Sequence, residues 1–261
     1  MSIESGCVVT AKCLLPDGEL VSYGNRRASP GATVSCLVEG LLVSRITVIG
    51  GTGYAGSAIV AEAAARGHQV TAFSRSLPGE PLANVTYVQG DAADEAALAV
   101  PIKGADAVVA ALAPRGALTP GTFREVTRTI ARLADAAGAT LFVVGGYSSL
   151  RPAPGADRFV TDLSHVPAEF HGEVLAGAAL ILEDLPAAPA TLDWVFVSPA
   201  LRFGAHMPGE RLGRYRLGDD VAVAPEDGGA ISAADYALGL VDLIEKGEHH
   251  RTQVNLGNET V

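Results

Sequence analysis

Lysine is nearly missing from this chain: Lys12, Lys103 and Lys246 are the only ones in 261 residues. No tyrosine is followed four positions later by lysine. In a Tyr-x-x-x-Lys pair the ammonium depresses the phenol's pKa, so that it exchanges a proton with a carbonyl or alcohol near neutral pH. That route is closed here. Cysteine is equally scarce and one-sided. Cys7, Cys13 and Cys36 all precede Arg45, so the remainder holds neither a disulfide framework nor a thiolate metal site. No His, Asp or Glu spacing reads as a metal site either. Basic charge is outweighed, with a formal net charge of −10; a nucleic-acid partner would call for clustered Lys and Arg. No apolar run reaches the length of a membrane span, because Arg45 interrupts the best candidate, 41–49. The start lacks the basic and apolar stretches of a signal peptide. What remains is the expectation of a cytoplasmic protein acting on small molecules.

Hydrophobic residues make up 48% and aromatics only 5%, a balance that suits Val-, Ala- and Leu-rich parallel strands covered by helices. The length fits one large α/β domain or one domain with an appendage. Residues 1–44 differ from the rest: Gly, Ser, Cys and isolated turn residues recur with no sustained period, and only 7–10 and 33–38 read as short strands. Three readings stand open for this stretch: a disordered extension, a small family-specific appendage, or translated sequence upstream of the true start, with Val43 as the initiation codon. Over 45–261 the pattern is regular. Strands are expected at 45–49, 69–73, 85–88, 107–112, 140–144, 192–197 and 252–256. Helices are expected at 54–66, 92–99, 122–137, 168–185 and from the Ser232 cap to about 245. Such alternation calls for a doubly wound parallel sheet.

The strand expected at 45–49 runs into Gly50-Gly51-Thr52-Gly53-Tyr54-Ala55-Gly56 and then a helix. In that setting Gly50 allows the tight turn, Gly53 a close approach of backbone to a pyrophosphate, and Gly56 close helix–strand packing. The helix's unpaired amides and positive end face the phosphates. These residues predict a Rossmann-type dinucleotide site. An NAD-specific site carries an acid at the end of the second strand; this chain has Ser74-Arg75 there, and no acid before Glu80. An arginine fork suits the additional 2′-phosphate, so NADP(H) is expected in preference to NAD(H). Asp91, followed by Ala92, is placed either to meet the adenine or to cap the next helix.

With Ser74-Arg75, Gly90-Asp91, Val143-Val144-Gly145-Gly146, Leu192-Asp193-Trp194 leading to Ser198-Pro199-Ala200, and Ile231-Ser232-Ala233-Ala234-Asp235-Tyr236-Ala237, the chain resembles the atypical short-chain dehydrogenase/reductases. Within them it is similar to the NAD(P)H-binding group of biliverdin/flavin reductases and NmrA-like proteins. The resemblance covers 45–257. It implies a single domain with a small C-terminal substrate-side region. It also implies that Ala111 and Leu112 border the ribose, that Gly145, Gly146 and Tyr147 line the nicotinamide side, and that Ser198, Pro199 and Ala200 lie against the nicotinamide.

Where the related proteins tend to carry a Tyr-Lys pair, this chain has Phe170-His171. Hydride transfer to a substrate needing little acid catalysis survives that loss, and flavins, quinones and extended conjugated systems qualify. Candidate catalytic groups are Ser148 as a hydrogen-bonding partner of a substrate oxygen, Tyr147 as a stacking surface, and His171 as a proton donor. Two other classes compete: a catalytically silent NADP(H) sensor of the NmrA-like type, and an isomerase or dehydratase that holds its cofactor tightly. Monomer and homodimer are both compatible with the helical surfaces.

Overall fold

Short strands of Val, Ile, Ala and Phe, most of them buried and several closed by a turn and followed by a helix, generate the architecture of this computed structural model, which describes residues 43–224 and 228–258 together with three short strands nearer the start. Contacts divide the chain into Met1–Val43 and Ser44–Val261. In the first unit β1 (Ala11–Leu14) pairs antiparallel with both β2 (Leu20–Tyr23) and β3 (Cys36–Leu37). The strand expected within 33–38 is thus found at its centre, while 7–10 lies outside the described residues.

The second unit runs β4 (Arg45–Ile49), α1 (Tyr54–Ala65), β5 (Gln69–Ser74), β6 (Val85–Gln89), α2 (Glu95–Ile102), β7 (Ala107–Ala110), α3 (Pro120–Ala137), β8 (Thr140–Val144), α4 (His171–Ala179), β9 (Trp194–Pro199), β10 (Arg216–Gly218), α5 (Ala233–Lys246) and β11 (Thr252–Gly257). Its eight-stranded sheet has the order β10-β11-β9-β8-β7-β4-β5-β6. All pairings are parallel except that of β10 with β11. Chain order reverses on either side of β4, with β5 on one flank and β7 on the other, and ligand crevices of doubly wound sheets open at such a switch point. Side chains alternate between two layers. Ile46, Val48, Val195 and Val197 pack with Ile59, Ala63, Leu240 and Val241 of α1 and α5. Val108, Leu141, Val143 and Phe196 pack with Leu98, Ile130, Ala134 and Leu180 of the α2–α4 side. The Rossmann-type α/β fold expected from the sequence is the one observed.

The strands expected at 107–112 and 192–197 are found at 107–110 and 194–199, and three further departures from expectation have local reasons. Helix α2 starts at Glu95, because the Asp94 carboxylate accepts from the amides of Ala96 and Ala97; it then runs through Pro101, whose carbonyl accepts from Thr47 Oγ1 at 2.6 Å. The segment 168–185 is a 3₁₀ turn (Ala168–Phe170), α4, and a wide π turn (Leu180–Asp184) in which the Leu185 amide donates to Leu180, five residues back, at 2.8 Å. Strand β10 was not anticipated: three residues on an exposed edge carry too little pattern.

Arg66, just past α1, ties that helix to α5. It reaches Glu62 at 2.8 Å, Asp242 at 2.7 Å and Glu245 at 2.6 Å, and the Tyr215 hydroxyl donates to Asp242 at 2.6 Å. Burial alone would raise the Asp242 carboxyl, but the Tyr215 hydroxyl and the Arg66 guanidinium outweigh it and hold the group below its ordinary value of 3.8. A depressed carboxylate stabilises the fold above its unfolded pKa, and that stabilisation fades as pH falls through the folded value. Arg66→Met is therefore expected to cost about 2–3 kcal/mol at neutral pH, less than a wholly buried pair because solvent reaches these side chains. Calorimetry should show a Tm lower by about 4–12 °C. The gap to the parent protein should narrow on acidification below 3.8; a gap independent of pH would remove Asp242 from the account.

Candidate functional site

At the end of β4 the backbone turns through Gly50, which has φ +88°. The amides of Gly50 and Gly51 both donate to the Phe73 carbonyl, at 2.8 and 3.1 Å, and that of Gly53 donates to Gly50 at 2.9 Å. A Cβ on Gly50 would stand 2.3 Å from the Ala111 carbonyl oxygen, and one on Gly56 would stand 2.1 Å from that of Gly50. No side chain fits at either place. Gly53 caps α1 with no side-chain hydrogen bond, so the first-turn amides have no acceptor inside the helix and carry its positive end. Thr52, Gly53, Tyr54 and Ala55 line the cleft in front of them. Gly56 does not; it packs behind the turn.

That cleft, about 850 Å³, follows the carboxyl ends of the parallel strands. One end is formed by Ser74, Arg75, Asp91 and Ala92, the middle by the glycine turn with Ala111 and Leu112, and the other end by Gly145, Gly146, Tyr147, Ser148, Pro199 and Ala200. Nearly every sequence-expected site residue is therefore brought to one surface. At the first end Ser74 Oγ donates to the Ser76 carbonyl at 2.8 Å, and Gln89 Nε2 to that of Arg75 at 2.9 Å. The β5–β6 rim is thereby fixed, while the Arg75 guanidinium makes no ion pair among the described residues. Asp91 is not the cap of α2. Its carboxylate accepts from the Ala93 amide at 3.0 Å, and Asp94 caps the helix.

At the other end Gly145 passes so close to Phe196 that a Cβ would lie 2.2 Å from the ring. Tyr147, in the 3₁₀ turn Tyr147–Ser149, stacks on Phe159 with centroids 4.7 Å apart, and the Ser148 hydroxyl makes no hydrogen bond to any described residue. Besides Gly56, two expected residues stand apart. Ser198 is fully buried beneath the floor, bonded to Gln253. His171, at the start of α4, donates from Nε2 to the Val166 carbonyl at 2.8 Å and is absent from the lining. Among the described residues of this unit no lysine lines the cleft: Lys103 borders a second cavity at the opposite edge of the sheet, and Lys246 ends α5.

Sequence reasoning missed several contributors, and read His206, in a loop expected on the substrate side, as a surface residue. Arg115, on the loop after β7, reaches Glu173 of α4 at 2.8 Å, and both line the cleft. Phe203 and His206 come from a loop held by the Tyr54 hydroxyl, which donates to the Pro208 carbonyl at 2.9 Å. The same loop is held by buried Asp235, which accepts from the amides of Leu212 and Gly213 at 2.8 Å each. Of these only Asp235 had a local signal, three residues after the Ser232 cap.

An extended cleft with free helix-end amides at its middle and no side chain obstructing the turn fits a dinucleotide, whose diphosphate would lie against residues 52–55. The comparisons agree. The profile of an NAD(P)H-binding family matches residues 50–247. The uncharacterised protein YwnB of Bacillus subtilis is 34% identical over 218 residues, 82% of this chain and 99% of its own length. Among solved structures, a Bacteroides thetaiotaomicron protein provisionally named an epimerase shares 33% identity at a TM-score of 0.73, covering 84% of this chain and 99% of that one. A Streptococcus pneumoniae protein provisionally named an NADH-flavin reductase shares 33% at 0.71, covering 83% and 100%. The chain belongs to the NAD(P)H-binding family of Rossmann-fold proteins.

Proposed function

We propose that the chain is an NADPH-dependent oxidoreductase that reduces a small conjugated acceptor, a flavin or a quinone. The observation that carries this reading is the far end of the cleft. It offers hydroxyl, aromatic and apolar surface from Ser148, Tyr147, Leu118 and Val174, and no lysine to activate a tyrosine. A nicotinamide bound there would supply a hydride from its C4 carbon to a conjugated acceptor, with the proton coming from solvent. The protein's share is then positioning. Ser148 presents its hydroxyl to an acceptor oxygen, and Tyr147, braced by Phe159, gives a flat surface to stack on. His171 is a structural residue in this reading, because its ring proton is spent on Val166.

Arg75 supports NADPH over NADH, since a free guanidinium at the β5 rim matches a 2′-phosphate and an acid would match ribose hydroxyls. Loss of one charge-assisted bond, roughly 1.5–3 kcal/mol, translates into a roughly 10- to 100-fold weaker Kd. Arg75→Ala is accordingly expected to weaken NADPH binding by that factor and to spare NADH, as read by fluorescence titration. Equal losses for both nucleotides would take the phosphate role away from Arg75.

Oxidation of NADPH with FMN, riboflavin and a quinone as acceptors tests the activity itself. Ser148→Ala should lower kcat/KM about three- to tenfold, the worth of one neutral hydrogen bond, and His171→Gln should leave it within about twofold. A parent protein that binds NADPH tightly but oxidises it with none of these acceptors is a redox sensor of the NmrA-like kind, and the enzyme reading falls.

A further inference from the structure

Behind the substrate end of the cleft lies a buried polar cluster that the proposed reaction does not use. At its centre is Gln253 on β11, 6% exposed. Its Nε2 donates to Ser149 Oγ and to Ser198 Oγ, each at 2.9 Å, and its Oε1 accepts from Arg158 Nη1 at 2.7 Å. Both amide N–H groups are used, and the amide can sit only this way round, because Arg158 has nothing but donors to offer. Arg158 also donates to the Ser149 carbonyl and, at 3.1 Å, to Asp220, which accepts from Arg151 at 2.9 Å. Ser149 Oγ in turn donates to the Gly146 carbonyl at 2.8 Å.

The sheet explains why a side chain is needed here. Strands β11, β9 and β8 are successive neighbours. Their backbone ladder holds β8 as far as the Gly145 amide, which donates to Val197 at 2.8 Å. Beyond that point the chain leaves the sheet as the turn bearing Tyr147 and Ser148, and backbone pairing resumes only at Arg151, which bridges to Val221. Gln253 reaches across β9, a span of about 4.8 Å, touching Ser198 on the way and gripping Ser149 at the end. Ser149 closes the Tyr147–Ser149 turn, and Ser198 immediately precedes Pro199 and Ala200. One amide therefore joins the segments that form two walls of the same end of the cleft.

We propose that Gln253 is a positioning residue that sets the spacing between the turn bearing Tyr147 and Ser148 and the wall formed by Pro199 and Ala200, so that nicotinamide and acceptor meet in a single orientation. The inference rests on the oxidoreductase reading. A displacement near 1 Å at a reacting centre lowers rate by about 100-fold, whereas the diphosphate and Arg75 ends are held by other elements and keep their affinity.

The test compares Gln253→Met, which removes all three bonds at similar volume, with Gln253→Glu, which keeps the shape and the acceptor for Arg158. Asp220→Asn, at a partly exposed carboxylate, loosens Arg158 from outside and serves if the Met variant does not fold. Readouts are the Kd for NADPH, kcat with a quinone, and deuterium transfer from NADPH labelled on either face of C4. Gln253→Met should lower kcat about tenfold or more with the Kd nearly unchanged, and should transfer deuterium from both faces where the parent uses one. Gln253→Glu should retain most of the activity and selectivity, and Asp220→Asn should shift both measures less than Met does. Fluorescence of the bound nicotinamide reads the same walls without turnover. A parent that binds NADPH yet reduces nothing therefore defeats the oxidoreductase reading alone, and a fluorescence change in the folded variants still supports the role of Gln253. Unchanged face selectivity and fluorescence in folded variants, or kcat and affinity falling in step, would overturn the inference, as would a parent that binds no NADPH.

Discussion

A single close passage of backbone governs the site. Between β5 and β7 the chain after β4 must turn with its amides on the Phe73 carbonyl and its Cα atom against the Ala111 carbonyl, and a Cβ at Gly50 would lie 2.3 Å from that oxygen. The constraint couples three things usually described separately. It fixes where α1 begins, it brings the ends of β4 and β7 together at the switch point of the sheet, and it leaves the first-turn amides of α1 without intrahelical partners. A helix end in that condition is stabilised by an anion, so ligand affinity here is a by-product of how tightly the fold must turn. Glycine at this position is a packing requirement first and a binding device second.

Most of the fold was legible because its signals are local and repeated. The strand over Thr140–Val144 and the helix stop at Gly138, which adopts φ +68°, follow directly from an apolar run and a C-terminal glycine. Where the reading slipped, two local rules competed. Asp91 and Asp94 are both plausible caps, and only Asp94 has the geometry to accept from two helix amides. Pro101 reads as a breaker but sits in the last turn of α2, where few intrahelical donors are lost. The segment 168–185 carries a helical pattern throughout, yet its hydrogen bonding changes from 3₁₀ to α to π along the way, a distinction that periodicity of side chains does not encode.

The two ends of the cleft differ in legibility for a physical reason. The nucleotide half is built from backbone at strand ends, and its residues lie in short contiguous motifs whose glycines and Arg75 can be read in order. The other half, where the proposed acceptor would sit, is assembled from side chains far apart in sequence. Arg115 meets Glu173, Tyr147 meets Phe159, and Ser149 meets Ser198 and Gln253. His171 illustrates the trap: the type of residue is right for proton transfer, but its ring is turned to the Val166 carbonyl. The one trace of Gln253 in the sequence is alternation along β11, where Val254 and Leu256 enter the core beside α5 and Gln253 and Asn255 face the other way. Two buried polar residues on the same face of a strand imply partners, without naming them.

Two solved structures similar to this chain carry provisional names as different as epimerase and flavin reductase. Amide donors at a helix end belong to the backbone and are indifferent to side-chain substitution. The acceptor half depends on a few buried polar contacts that reach across strands, and in a low-dielectric interior each unmet donor or acceptor costs more than a bond contributes. In this chain no described lysine lines the cleft, and the Gln253 cluster lies behind its walls at the end opposite Arg75; under the proposed reaction, orientation is the protein's contribution there, and these side chains are where it is set.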